Sequence, residues 1–354
     1  MPASAGGLGW IERLPSIGPV PVLVLVATLA GAVLRFAWLD AQPLWNDERG
    51  QIAAASLPFL EMLETVRGHA AAAPLDYVAT RVLLGLGVTD TAVRVWPALI
   101  GTLSIPVLWL AAGRWAPDRV AQAAAVLLAV APFHVYYSGE ARFYALSALW
   151  AIVALLTFRS RWFVLAVAGA LYTHYFCVIV PLGLVVIHRR GIRSFLLGVA
   201  LWLPWALYAL PAQVGHTQDI GSLSNVPTPA LVAELLVPDF NVSGLPWIVP
   251  ATVLVLAGTL FALGVRSQLG LVAIVVAAIV LTGLATWRND YFWSPRQILF
   301  ALPLVLVVVA TGADRLRARV ATAALAALVV LWVPFIDGVT GEDAWQPRTQ
   351  SLER

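Results

Sequence analysis

The feature that most limits how this chain folds is a series of apolar runs. Most are close to the roughly 17–25 residues that carry a helix across a bilayer. Eleven read along the sequence, at 19–38, 94–113, 120–136, 143–158, 162–173, 175–187, 195–211, 246–264, 269–286, 297–313 and 320–336. Lipid offers backbone polar groups no partner, so runs of this kind imply helices. Composition agrees. Of the 354 residues, 60% are apolar and 12% charged, against about 45–50% and about 25% in an average soluble domain. A soluble globular enzyme and a disordered chain are both excluded. The expected fold is an all-α integral membrane protein with about eleven transmembrane helices. It forms one domain over 1–336, followed by a short tail, 337–354. The first run is too long, and too closely followed by others, for a cleaved signal peptide.

The pair 162–173 and 175–187 is short for two crossings, and one kinked helix is the competing reading. The arginines arbitrate. All 22 basic residues are arginine, which excludes a P-loop lysine and Schiff-base chemistry. The single cysteine, Cys177, excludes a disulfide framework and a cysteine-ligated zinc. With the N-terminus cytoplasmic and the sides alternating, the cytoplasmic segments hold Arg13, Arg114, Arg119, Arg159, Arg161, Arg189, Arg190, Arg193, Arg266, Arg315, Arg317 and Arg319. Twelve arginines stand there against three acids (Glu12, Asp118 and Asp314), a net of +9. The other side holds ten arginines and sixteen acids, a net of −6. That asymmetry follows the positive-inside rule, whereas merging the pair would place Arg189, Arg190 and Arg193 outside. The C-terminus is then extracytoplasmic. The nearly neutral total of +3 conceals both numbers.

Ionisable residues at the mouths of the outer loops are the candidates for chemistry. The first such loop, 39–93, begins with Asp47-Glu48 just beyond the first run. Adjacent carboxylates suit a general base with a positioning partner. The pair also suits a helix start, with Asn46 or Asp47 capping and Glu48 in the first turn. The rest of the loop reads as membrane-hugging helices over 58–67 and 74–86, with apolar stripes Phe59, Leu60, Leu63, Val66 and Leu75, Val78, Val82, Leu86. Arg94 opens the second run, either snorkelling to headgroups or clamping a phosphate.

A second loop carries Glu140-Ala-Arg142 inside an aromatic cluster. It reads as a structural ion pair or as a functional element. His174 sits at the turn between the short pair of runs, as a hydrogen-bonded packing residue or a site residue. No second ligand stands at metal spacing from His174, and although the Asp47-Glu48 pair could hold a divalent ion, nothing completes a ligand set. Arg288 and Arg296 lie among aromatics in the last outer loop, suiting an anionic headgroup, a sugar phosphate or an ordinary interfacial belt. The long outer loop 212–245 has one expected short helix near 229–236 and a sequon at Asn241. No nucleic-acid partner is indicated.

Taken in order, these elements are an Asp-Glu pair, Arg94 in Arg-x-x-Pro-Ala-Leu-x-Gly, Tyr-Ser-x-Glu-Ala-Arg-x-Tyr-Ala-Leu and Tyr-Thr-His-Tyr-Phe. The chain thereby resembles the family 39-like glycosyltransferases of the GT-C fold. That group includes protein O-mannosyltransferases and the aminoarabinose transferase of lipid A. The match spans about 40–176, with a looser one at Ser-Pro-Arg296-Gln. Two departures stand out. Members often carry His-Pro-Pro-Leu-Tyr-Tyr where this chain has Ala-Ala-Pro74-Leu-Asp76-Tyr. Many also continue into a C-terminal soluble domain, so a protein O-mannosyltransferase proper is not expected.

The resemblance implies a polyprenyl-phosphate-linked sugar donor, a glycan, lipid or protein acceptor with a free hydroxyl, and inversion at the anomeric carbon. It implies no cofactor. Carried onto this chain, Asp47 is the general base and Glu48 its positioning partner. Arg94 binds the donor phosphate, Glu140, Arg142 and His174 line the sugar and phosphate pocket, and Arg296 contacts the lipid phosphate. An arginine- and alanine-rich, lysine-free chain suits high-GC bacterial coding, so the expected location is the plasma (inner) membrane with the site on its extracytoplasmic side. Two other classes fit the pattern less well. One is a flippase of a lipid-linked glycan, disfavoured because transport sites lie at mid-membrane. The other is a non-catalytic member of the same fold.

Overall fold

The computed structural model describes residues 19–69, 72–214, 226–238, 245–289 and 293–340. Arg13, Glu12, the sequon at Asn241, half of the loop 212–245 and the tail from 341 lie outside those residues. The first apolar run forms α1 (Val22–Phe36). Three short helices occupy the loop after it, α2 (Asn46–Ser56), α3 (Phe59–Arg67) and α4 (Leu75–Gly85). A 3-10 turn over Asp90–Arg94 leads into α5 (Val95–Ala112), then α6 (Asp118–Val130), α7 (Pro132–Tyr137), α8 (Tyr144–Thr157) and α9 (Phe163–Thr173). A second 3-10 turn, Tyr175–Val178, opens α10 (Ile179–His188), followed by α11 (Ile192–Gln213) and α12 (Pro229–Ala233). The chain ends in α13 (Ile248–Val265), α14 (Leu269–Arg288), a 3-10 segment Pro295–Ala301, α15 (Leu302–Ala313) and α16 (Ala318–Thr340). The described residues contain no strand.

Six helical segments are long and apolar enough to cross a membrane by length and composition: Asp90–Ala112, Ile192–Gln213, Ile248–Val265, Leu269–Arg288, Pro295–Ala313 and Ala318–Ile336. The apolar helices Val22–Phe36, Tyr144–Thr157, Phe163–Thr173 and Tyr175–His188 are shorter. Side chains such as Val22, Leu29, Leu207, Val255 and Val330 point outward. A surface of that kind suits contact with lipid or with a partner protein. By contrast α15 is buried along its whole length. It lies so close to α13 that a methyl group at Gly312 would overlap the Leu260 carbonyl, and one at Gly264 the Val308 carbonyl.

The segment 162–188 runs out and back. At Thr173 the helix stops, and His174 is extended at φ −161°. α9 then lies parallel to α11, with Gly198 against Val164 and Val167, and the Tyr172 hydroxyl donating to the Leu201 carbonyl at 3.0 Å. His188, at the end of α10, returns to Phe158 and Trp115, with ring centroids 5.4 and 5.3 Å away. A single kinked helix would have carried His188 to the opposite end. The other turns sort in the same way. Arg119 pairs with Asp314 and Arg315 with Ser267 at the end that holds His188. The segments around 45–48, 138–143, 174 and 294–300 meet at the far end.

Part of each apolar stripe expected in the first loop faces outward. α3 buries Met62 and Val66 and exposes Phe59 and Leu60, while α4 buries Asp76, Tyr77 and Thr80 and exposes Val82 and Leu86. On α3 the charged Glu61 and Glu64 stay exposed, whereas on α4 the inward Asp76 and Thr80 find a hydrogen-bond partner in Gln51. The short helix expected near 229–236 is α12, capped by Thr228, which accepts from Leu231 N–H at 3.2 Å.

The run 120–136 is interrupted at Ala131–Pro132, because proline has no N–H for the Leu128 carbonyl. Arg35 supplies the missing donors. Its guanidinium bonds the carbonyls of Leu128 (3.1 Å), Ala129 (2.9 Å) and Gly31 (2.9 Å), together with Ser138 Oγ (3.2 Å) and His134 Nδ1 (2.8 Å).

Candidate active site

The first turn of α2 is the seed of the site. The helix starts at Asn46 after an extended Trp45, so neither Asn46 nor Asp47 is the cap residue. Asp47 and Glu48 both stand in the first turn, where the helix dipole favours negative charge. Glu48 accepts from its own cap, Trp45 N–H, at 3.3 Å.

The two carboxylates have different surroundings. Glu48 is fully buried. It receives Arg94 Nε at 2.8 Å and Nη2 at 2.6 Å, a bidentate geometry, and Ala141 N–H at 2.8 Å. Arg94 is consumed as completely. Its remaining donors go to the carbonyls of Leu39 (2.8 Å), Gln42 (2.8 Å) and Pro43 (3.1 Å). All five N–H groups of this guanidinium thus meet protein acceptors, and the pair joins the end of α1, the start of α2 and the 138–142 loop. Asp47, one residue earlier, is turned outward with 37% of its side chain exposed, its Oδ2 3.7 Å from Arg296 Nη1. That is an ion pair without a close hydrogen bond.

Around Asp47 the loops converge. Arg296 lies over the faces of Trp45 and Tyr144, 5.3 and 5.9 Å from their centroids. Glu140 is buried beneath it. Burial pushes the Glu140 carboxyl up to about 8. The Glu48 charge adds to the shift, while Arg296 and Tyr136 oppose it. Glu140 therefore exists largely as the neutral acid near pH 7, and no ion pair joins it to Arg142 among the described residues.

Arg142 turns the other way. Its Nη1 donates to Gln51 Oε1 at 3.2 Å, its guanidinium lies 5.3 Å over Phe143, and its buried Nε has no acceptor among the described residues. His174 stacks on that same Phe143 at 4.6 Å and meets Phe176 edge-on at 5.3 Å. Its Nδ1 is buried without a partner among the described residues. Burial pushes this imidazole down to about 3, with the Arg142 charge adding, so it is neutral at physiological pH.

Behind Arg142 lies a carboxylate that the sequence reading passed over. Asp76, on the inner face of α4, accepts from Gln51 Nε2 and, at 3.3 Å, from Trp96 Nε1. Gln51 Nε2 also donates to Thr80 Oγ1 at 3.0 Å. Burial raises the Asp76 pKa, opposed by the Gln51 bond, Arg142 and Trp96. Its amide oxygen fixed in this way, Gln51 presents a single acceptor to Arg142. Asp76 lies off the apolar stripe of α4, on a face shared with Tyr77 and Thr80, and that polar face was the missed signal. Arg35 was missed for a similar reason, being an arginine inside the first apolar run that was counted only as charge.

The described residues bring Asp47, Glu48, Arg94, Glu140, Arg142, His174 and Arg296 to one end of the bundle. They hold no group of three His, Cys, Asp or Glu side chains placed to bind a metal. The arrangement is a partly exposed carboxylate beside one buried and one half-buried guanidinium group and a neutral acid, walled by aromatic rings. It suits a ligand that is anionic at one point and hydroxyl-bearing at another.

No protein-family model and no curated protein matches this sequence. Solved structures do. ArnT from Cupriavidus metallidurans bound to undecaprenyl phosphate superposes with a TM-score of 0.59 and 17% sequence identity, over 85% of this chain and 62% of that one. The apo state of ArnT from the same organism gives 0.58 and 17%, over 86% and 61%. The likeness is one of fold, and the chain spans just over six-tenths of the length of these structures.

Proposed function

We propose, starting from this ArnT-like fold, that the chain is a GT-C-type membrane glycosyltransferase. It moves a sugar from a polyprenyl-phosphate donor to an acceptor hydroxyl. The observation that carries the reading is the different state of the two adjacent carboxylates: Glu48 is sealed against Arg94, and Asp47 faces the opening beside Arg296. Asp47 is the general base that takes the acceptor proton. Arg296 and Arg142 stabilise the charge that develops on the leaving phosphate, in a water-poor setting where such charges count most. Glu140, protonated near neutrality, donates to the sugar or phosphate, and His174 offers an uncharged imidazole beside it. Glu48 and Arg94 act as a scaffold rather than as ligands, because no N–H of Arg94 is left for phosphate.

Lipid-linked donors are soluble only in the bilayer, so a site at one end of the bundle is where donor and polar acceptor meet. The proposal includes eleven crossings with the N-terminus cytoplasmic and the site on the extracytoplasmic side of the plasma membrane. The single-domain boundary at 336 belongs to the same reading. The test is transfer from a radiolabelled polyprenyl-phosphate sugar to an envelope extract by the purified protein. Label should move from the lipid to an acceptor, and its complete retention on the lipid across a panel of sugars would refute the proposal.

A further inference from the structure

The end of the bundle opposite the candidate site carries a second charged feature. Arg159 and Arg161 lie on the α8–α9 turn, and Arg189, Arg190 and Arg193 lie on the turn into α11. All five are exposed. The two turns touch: Gly191 abuts Phe158 and Phe163, and the His188 ring lies 5.4 Å from that of Phe158.

The acids of this end are engaged elsewhere. Asp314 is held by Arg119, and Asp118 by Trp109 Nε1 at 2.8 Å and Gln122 Nε2 at 2.5 Å. Among the described residues, five arginines are thus gathered with no carboxylate among them, whereas Arg119 on the neighbouring turn is neutralised. Arg161 lies 5.1 Å over the exposed ring of Trp162, and Ile187, Ile192 and Leu196 are exposed around the patch. Charge above apolar side chains and an interfacial indole matches the profile of a phospholipid, from phosphate to acyl chain.

We propose that these two turns form a binding site for an anionic phospholipid headgroup. The site is independent of the catalytic reading and rests only on the chain spanning a bilayer. Its charge is local, so it makes a demand that a general excess of arginine on one side does not: the arginines of the α15–α16 turn should be dispensable for it.

The test is native mass spectrometry of the full-length protein released from mixed phosphatidylglycerol and phosphatidylcholine micelles. Thermal unfolding in phosphatidylcholine alone serves as the folding control. The wild type should retain phosphatidylglycerol about tenfold over phosphatidylcholine. A triple variant, Arg159→Gln, Arg189→Gln and Arg190→Gln, should lose that preference. Arg315→Gln with Arg317→Gln and Arg319→Gln should keep it. Equal retention of the two lipids by the wild type would overturn the proposal, and so would an equal loss in the Arg315, Arg317 and Arg319 variant. Protection by inorganic phosphate equal to that by the lipid would overturn it too, since a bare phosphate pocket would then explain the binding.

Discussion

At the scale of single residues, two adjacent carboxylates stand in different surroundings, Glu48 sealed against Arg94 and Asp47 partly exposed beside Arg296. Glu48 and Arg94 are buried against each other, and removing one partner leaves the other's charge without compensation, a loss of about 3–5 kcal/mol. Glu48→Gln should therefore lower the thermal midpoint and the yield of folded protein. Asp47→Asn, at a partly exposed position, should change neither by much. A thermal-shift comparison in detergent checks this. The reverse ordering would place the scaffold at Asp47.

Glu140 makes a separate prediction with a definite sign. Its folded pKa, about 8, lies above the ordinary carboxylate value. Between those two values the folded protein binds more protons than the unfolded one, so stability falls as pH rises through that window. Replacing Glu140 with Gln removes that dependence. The variant should gain on the wild type as pH rises from about 5 to 8, and a pH-independent difference would show that the carboxyl is already ionised. The sequence made the acids visible as a pair but not their separate fates. Which of two neighbours faces inward depends on the turn of α2 and on Arg94 arriving from 46 residues away.

At the scale of elements, the apolar runs were legible because period and length survive in any packing. Most helices lie close to where the runs predict. What was not legible is that α4 turns Asp76, Tyr77 and Thr80 inward, while Val82 and Leu86 of its apolar stripe stay exposed. Nor does the sequence announce that Arg35 closes the break at Pro132. That needs α1 to lie beside the α6–α7 junction, which is a tertiary fact.

The contact between α13 and α15 has a sharp requirement. Gly312 faces the Leu260 carbonyl with no room for a methyl group, and backbone cannot yield as a flexible side chain does. Gly312→Ala should force the helices apart. Overpacking of this kind costs about 1–3 kcal/mol, which a thermal-shift assay would register. Gly258, with open space around its Cβ position, is the control and should tolerate alanine.

At the scale of the whole molecule, the turns gather at two ends. The candidate site occupies one, and the exposed arginines of the α8–α9 and α10–α11 turns the other. If the chain alternates sides as its arginines indicate, a reporter fused after Arg193 reads as cytoplasmic and one fused after Asp337 as extracytoplasmic. Both reporters on one side would mean an even number of crossings between them and a different placement of the site.

The fold is shared with ArnT at 17% identity, which leaves the chemistry to the residues themselves. The central claim is that Asp47 takes the acceptor proton while the arginines hold the donor. The most direct measurement follows Asp47→Asn through two steps, binding of a polyprenyl-phosphate sugar and its transfer. The account predicts donor binding within about twofold of wild type and transfer reduced by at least the 10²–10⁴-fold typical of a lost general base. Transfer at the wild-type rate would contradict it.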